Sequence, residues 1–363
     1  MQNQLCPTLF DMRGLVLLLG LLNVTFGSIQ AQWQIENSTT TADLRGIDNV
    51  GGGIAWASGA NGTVVRTEDG GYEWQPCTVP LGAEHLDFRG IQAFDANTAI
   101  VMSSGKGDLS RLYKTTDGCQ TWKLLFTNPE KDGFWDAIFI NRGTSDGFIL
   151  GDPVNGAFVL YQSDDSGDTW RRIAAQGLSA EKQAGAFAAS NSSIAVGEIN
   201  WFLIGTGGTA QPFVYREETY PTFTKVAVPI AGGGPSAGIF SIDGRDFLNV
   251  IAVGGNYQKP EDADHTAAYT KDGGKTWQAA TSPPHGYRSC VAYDEATKTW
   301  ITVGPNGTDI STDDGRNWRA VHPDAALHEE PDVDRNWNAL SLPFVVGPHG
   351  RIGKLDPQDL AKY

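Results

Sequence analysis

Five aspartates recur in one setting. Asp69, Asp117, Asp165, Asp272 and Asp313 sit in the octapeptides TEDGGYEW, TTDGCQTW, SDDSGDTW, TKDGGKTW and STDDGRNW, which end at Trp74, Trp122, Trp170, Trp277 and Trp318. An aspartate flanked by glycine invites a general acid or base. A catalytic group is not needed five times, however. The same residues make a clasp: a Ser or Thr and an Asp can hold backbone N–H groups across a tight hairpin, Gly supplies a positive φ, and Trp packs back over the turn. The pattern S/T-x-D-x-G-x-x-W therefore reads as a repeated turn.

A second set of residues has the chemistry for recognition. Arg45 in LRGID, Arg89 in FRGIQ and Arg288 in YRSCV fall at one offset in similar segments, and Asn338 in WNALS falls there too. A guanidinium fork suits carboxylates. Each arginine could instead pair with a local acid such as Asp48 or Asp87. Trp135 and Asp136 in FWDAI, Asp152 in GDPVNG, and Tyr257 and Lys259 in the long segment GGNYQKPEDADHT (Gly254 to Thr266) add aromatic and polar groups suited to a sugar or a peptide. Taken singly, each also reads as a solvated turn. Glu198 with Asp152 is a candidate carboxylate pair for glycoside hydrolysis, at a separation that sequence does not fix.

Other chemistry is poorly supported. GTGGTA (Gly205 to Ala210) matches a dinucleotide fingerprint, but Gln211-Pro212-Phe213-Val214 leads into a strand where the fingerprint needs a helix, so no nicotinamide is expected. The 6 histidines are scattered, and no metal or other cofactor is expected. Cys77, Cys119 and Cys290 follow the leader without CxxC spacing, and one bridge between Cys77 and Cys119 is conceivable.

The elements that position these residues follow from spacing. The octapeptide tryptophans are 48, 48, 107 and 41 residues apart. The segment YREETYPTF, ending at Phe223, divides the long gap into 53 and 54, and Trp33 lies 41 before Trp74. Within one unit, LRGIDNV, GIAWAS, VVRTED and YEWQPC read as four short strands broken by Gly-rich turns. Four strands per repeat of this length is the grammar of a β-propeller. Trp or Phe at 33, 74, 122, 170, 223, 277 and 318 counts seven blades. The last segment, Asn338 to Leu355, offers three strands, and the strand at Trp33 completes it. The expected fold is an all-β, single seven-bladed propeller closed by its N-terminal strand. First strands, starting at Leu44, Phe88, Phe134, Gly185, Ala237, Tyr287 and Trp337, line the channel and begin at the mouth opposite the octapeptides. That brings Arg45, Arg89, Arg288 and Asn338, from consecutive blades, to one rim.

The octapeptide resembles the Asp-box of bacterial sialidase-type repeats, which implies a structural hairpin on the face away from the ligand. The mature chain as a whole, with Gly59-Ala60-Asn61-Gly62 through Trp74 as its clearest blade, resembles the photosystem II stability and assembly factor family. That resemblance implies a binding scaffold with an arginine-rich surface for a nascent membrane-protein segment. A sialidase would share the arginine trio but needs a Tyr nucleophile with a Glu partner, an acid/base Asp and an R-I-P segment; the last is missing. Xyloglucan-cleaving relatives use two propellers, and this length holds one.

Composition bounds the partner and the compartment. With 27 Lys+Arg against 42 Asp+Glu, the net charge of -15 argues against nucleic acid and anionic membrane surfaces. The apolar run Leu15 to Phe26 behind Arg13 is too short to span a bilayer and reads as a signal peptide, with Met12 as a possible alternative start. Residues 1–31 are expected to be removed and 32–363 to form the propeller, exported to the periplasm or secreted, as a monomer without an integral membrane span. The expected role is a binding or assembly scaffold for a protein segment, an acidic small molecule or a saccharide at the arginine-lined mouth. The alternative is a carbohydrate-active enzyme, a glycoside hydrolase or lyase of the sialidase-like propeller type.

Overall fold

Seven four-stranded antiparallel sheets form the computed structural model, which describes residues 33–197, 201–323 and 330–355. The expected leader and Glu198 lie outside the described residues. The innermost strands are Leu44–Gly51, Phe88–Ala93, Trp135–Ile140, Ile194–Gly197, Ala237–Gly244, Cys290–Asp294 and Ala339–Ser341, in blades one to seven. The outermost strand of blades one to three, five and six directly follows an octapeptide tryptophan. Gln34–Glu36 is the outer strand of blade seven and pairs antiparallel with Ile352–Lys354, which closes the ring as the Trp33 spacing predicts. Trp33 anchors this closure, packing against Trp337 and donating its indole N–H to Thr308 Oγ1 in blade six at 3.1 Å. Among the described residues the only helical turn is the 3-10 turn Gly107–Leu109, and no helix is long and apolar enough to cross a membrane.

The apolar core lies between the faces of neighbouring blades. Leu44, Val65 and Trp74 of blade one pack on Phe344, Val346 and Ile352 of blade seven, and Trp33, Trp337 and Val345 pack on Ile301 and Ile310 of blade six. Alternating apolar residues on both faces of each short strand make this possible. The same layering repeats around the ring.

The octapeptides are clasps. In all five, the Ser or Thr hydroxyl donates to the Asp and accepts the N–H of the fifth residue, while the Asp accepts the N–H of the seventh. In the Thr270 copy these distances are 2.7, 3.1 and 2.9 Å. The other four copies match (Thr67, Thr115, Ser163, Ser311). Side-chain and backbone donors hold the Asp117 carboxyl at about 2. Burial opposes the donors at Asp165, and they still bring it to about 2. Any stability these groups add is present above the usual carboxylate value and disappears as pH falls through about 2. Asp272→Ala is expected to lower stability by about 1 kcal/mol, read as a lower urea midpoint. An unchanged midpoint would exclude the clasp as a stabilising device. The worn copy at Phe223 lacks this network; its hairpin closes between Thr219 and Thr222 instead.

The turns sit on the face where first strands end. Gly70 N donates to Gly53 O, Gly118 N to Asn97 O and Gly273 N to Leu248 O, each tying an octapeptide to the first hairpin of its own blade. First strands therefore begin at the opposite mouth.

Candidate functional site

In four blades a bulge at the start of the inner strand turns one side chain out of the pleat at that mouth. The ladder skips one residue between Leu44 and Gly46, Phe88 and Gly90, Trp135 and Ala137, and Ile239 and Ser241. The bulged residues are Arg45, Arg89, Asp136 and Phe240. A bulge re-aims its residue out of the pleat. Arg45 is half-buried and has no ion-pair or hydrogen-bond partner among the described residues. Its charge acts on the Tyr287 ring, whose hydroxyl burial pushes up and Arg45 pulls back. Arg89 donates from Nε to Asp87 Oδ2 at 2.7 Å, the local pairing foreseen for it, and from Nη1 to Ala188 O at 3.2 Å.

The second of those bonds marks a feature that sequence reading missed. Gly185 bridges Gly207, but the described inner strand of blade four begins at Ile194, nine residues beyond the expected start at Gly185. The intervening chain, residues 186–192, leaves the sheet and crosses the channel. It meets blade two through Arg89, blade three through Asn191 Oδ1 and Ile138 N (2.8 Å), blade five through Ser192 and Ser241 (2.7 Å), and blade six through Ser190 Oγ and Ser289 O (2.8 Å). Gly90 is required here, since a Cβ would lie 2.7 Å from Asn191 Oδ1. This crossing divides the channel into a mouth and a blind cavity on the octapeptide face.

At the mouth the crossing presents Phe187, which stacks on Phe240 with centroids 3.8 Å apart; Phe240 in turn meets Tyr287 edge-on at 4.8 Å and Tyr257 at 6.1 Å. Tyr257 is 49% exposed and Lys259 is exposed. Asp152 Oδ1 accepts the N–H of Ala186 at 3.0 Å, fixing the root of the crossing. Burial pushes the Asp152 carboxyl up to about 6, against that N–H. Asp136 is 1% exposed, and its Oδ2 has no hydrogen-bond partner. Burial raises it well above the usual carboxylate range, the Asp152 charge raises it further, and Arg89 opposes both.

No protein-family model matches the chain. In sequence it is 23% identical over 321 residues, covering 71% of this chain and 82% of the relative, to the photosystem II assembly lipoprotein Ycf48 of Picosynechococcus sp.. In structure it is similar to Ycf48 bound to a D1 peptide, with a TM-score of 0.61 at 17% identity over 89% of this chain and 96% of the other. It is also similar to Ycf48 from Cyanidioschyzon merolae, with a TM-score of 0.59 at 16% identity over 90% of this chain and 100% of the other. The chain resembles the photosystem II assembly-factor propellers.

Against that assembly-factor fold, the remaining site residues fall into place. Arg288 does not reach the mouth. In blade six the Tyr287 carbonyl faces Gly304 as the Asp43 carbonyl faces Gly59, so Arg288 takes the core place of Leu44, and Ser289 takes that of Arg45. Arg288 is 0% exposed; it donates through Nε to Asp309 Oδ2 at 2.8 Å and through Nη1 to Asn306 Oδ1. Asn338 keeps the expected offset, but its amide donates to Leu44 O at 2.8 Å and latches blade seven to blade one. Trp135 is core, stacked on Phe126 and edge-on to Tyr161. Arg45, Arg89, Asp136, Asp152 and Tyr257 share the mouth, together with Phe187 and Phe240, which sequence reading left out.

Proposed function

We propose that the protein is an exported scaffold that binds an acidic or carboxylate-ended protein segment at the mouth opposite the Asp-box-like turns. Arg45 carries this reading: an unpaired guanidinium at the mouth of a chain with net charge -15 is a site for an external anion. Arg89 adds a second, partly engaged guanidinium. Phe187, Phe240 and Tyr257 form an apolar ledge beside them, a combination of anchor and charge common in peptide recognition. The peptide named with the structurally similar Ycf48 supports a protein partner rather than a saccharide. Export is supported by the apolar leader, by the Cys77–Cys119 disulfide and by the lipoprotein relative. On this reading residues 1–31 are a signal peptide and the mature propeller acts as a monomer.

The test uses a fluorescent decapeptide rich in Asp and Glu and a matched Lys-rich control. Arg45→Ala is expected to weaken the acidic peptide by about tenfold or more, with the wild-type affinity falling as salt rises. Equal affinity for the variant would remove the assignment. A second reading, glycoside hydrolysis, draws on the neighbouring Asp136 and Asp152 with their raised carboxyls. Its difficulty is access, because Asp136 is only 1% exposed. Turnover of aryl glycosides that disappears in Asp136→Asn would favour it over the scaffold.

A further inference from the structure

The channel has a second site at its other end. On the octapeptide face a cavity of about 1050 Å³ runs inward between blades three to seven and ends on Asn191 and Ser192 of the crossing. Small-molecule sites are usually roughly 300–1,000 Å³. Phe139, Trp201 and Tyr293 supply aromatic wall, and Phe247, 65% exposed, stands at the rim. Asp243 lies among them on the inner strand of blade five.

The ring itself shows what Asp243 lacks. Four blades use one inner-strand position to catch the N–H of the next blade: Asp48 with Ala93 (2.7 Å), Gln92 with Ile140 (2.9 Å), Asp243 with Tyr293 (2.9 Å) and Ser341 with Asn49 (2.9 Å). Two of these four are carboxylates. Asp48 has a counter-ion: Arg142 pairs with it and donates from Nε to Ala93 O at 2.6 Å. Among the described residues, Asp243 receives only the N–H groups of Tyr293 and Gly244, both at 2.9 Å. The nearby Arg245 is engaged by Asp246 and Asp314. Where Asp48 faces a guanidinium, Asp243 faces the cavity.

We propose that this cavity binds a small organic cation, a guanidinium, amidinium or ammonium group on an aromatic or apolar body, with Asp243 as its counter-ion. The ring walls seat the body and add cation–π attraction. The blind inner end admits a small molecule and stops a through-running chain. Only ionised Asp243 serves as counter-ion. Burial raises its carboxyl to about 6, against the two N–H groups. Of the other groups around it, the Cys290 thiol is raised by burial and neutral, Arg245 is paired, and Asp246, although desolvated, is brought low by Asn249 and stays ionised. Asp243 therefore dominates the pH dependence between 5 and 8.

Calorimetric titration of the full chain with benzamidine, its neutral isostere benzamide, and benzoate tests this. Saturable one-site binding of benzamidine is expected at pH 8, with benzamide about tenfold weaker or worse and benzoate silent. Benzamidine affinity is expected to fall about tenfold from pH 8 to pH 5 as Asp243 protonates. Asp243→Asn should lose about tenfold or more. Because that change also touches an inter-blade latch, Ala292→Trp is the companion variant: it fills the cavity, keeps Asp243 and should abolish binding. Arg45→Ala should leave benzamidine unaffected, which separates this site from the mouth. Absence of benzamidine heat in the wild type, equal affinity for benzamide, or full affinity in Asp243→Asn or Ala292→Trp would overturn the proposal.

Discussion

Arg288→Ala is expected to destabilise the propeller by about 3–5 kcal/mol, the cost of stranding a buried partner charge. The stranded group is Asp309, 1% exposed, which would lose Nε and Nη2 of the guanidinium. Asn306 Oδ1 and the Tyr287 carbonyl would lose a donor as well. One neighbour can partly compensate. His285 Nδ1 lies 2.9 Å from the Asp309 carboxylate, and its Nε2 lies 3.0 Å from Asn306 O. Hydrogen bonding to Asp309 raises the His285 pKa, while burial and the charge of Arg288 restrain it. A raised histidine pKa stabilises fully below the unfolded value of 6.5 and is lost as pH rises through the folded value. Removing Arg288 removes part of the restraint and leaves Asp309 dependent on His285. The loss in Arg288→Ala should therefore be larger at pH 8 than at pH 5.5, read from urea midpoints at both. Replacing both partners by apolar residues, Arg288→Met with Asp309→Leu, should recover most of the loss, since two well-packed apolar groups replace an ion pair at little cost. A loss under about 1 kcal/mol for Arg288→Ala at both pH values would contradict the buried-pair account.

The blade count and ring closure were legible because the octapeptide is a rigid clasp at one point in most blades. Its tryptophans mark the outer strands, and Trp33 marks the missing one. The mouth was legible only in part. An apolar residue before an arginine looks the same in FRGIQ and YRSCV, yet the bulge sets the register, and nothing in five residues shows where it falls. The readable sign lay elsewhere. Two residues before the octapeptide Ser or Thr, the other copies carry Val65, Tyr113, Tyr161 and Ala268; blade six carries Asp309. A carboxylate at a core position demands a buried cation, and Arg288 is that cation. The crossing segment was hidden for a different reason. Its run of small and polar residues, AFAASNS, is held by hydrogen bonds, mostly from its side chains, to four other blades, contacts that local pattern does not encode. The 53-residue spacing of that unit against 48 for its predecessors was its trace.

Opening the Cys77–Cys119 bridge is expected to lower stability by about 4 kcal/mol, from the loop-closure entropy released to the unfolded chain. The two cysteines are 42 residues apart and link the outer edge of blade one to the octapeptide of blade two. Cys119 holds the fifth octapeptide position, which is Gly71, Gly167, Gly274 and Gly315 in the other four copies, all at positive φ. Its own φ is 63°, a conformation that favours glycine. A cysteine in a glycine slot carries a local cost that the cross-link outweighs. Two variants separate the terms. Cys77→Ala removes the bridge and leaves Cys119 in the left-handed region. Cys119→Gly removes the bridge and restores the residue that the turn prefers, so it should be about 1 kcal/mol more stable than Cys77→Ala. Both should keep the junction of blades one and two, because Thr78 Oγ1 still donates to the Cys119 carbonyl position and Trp122 Nε1 still donates to Thr78 O at 2.8 Å. Urea midpoints with and without dithiothreitol read the effect: the wild type should fall to the level of Cys77→Ala on reduction, and neither variant should respond. A wild-type midpoint that stays put while thiol titration shows both cysteines reduced would mean that the bridge contributes nothing to the ring.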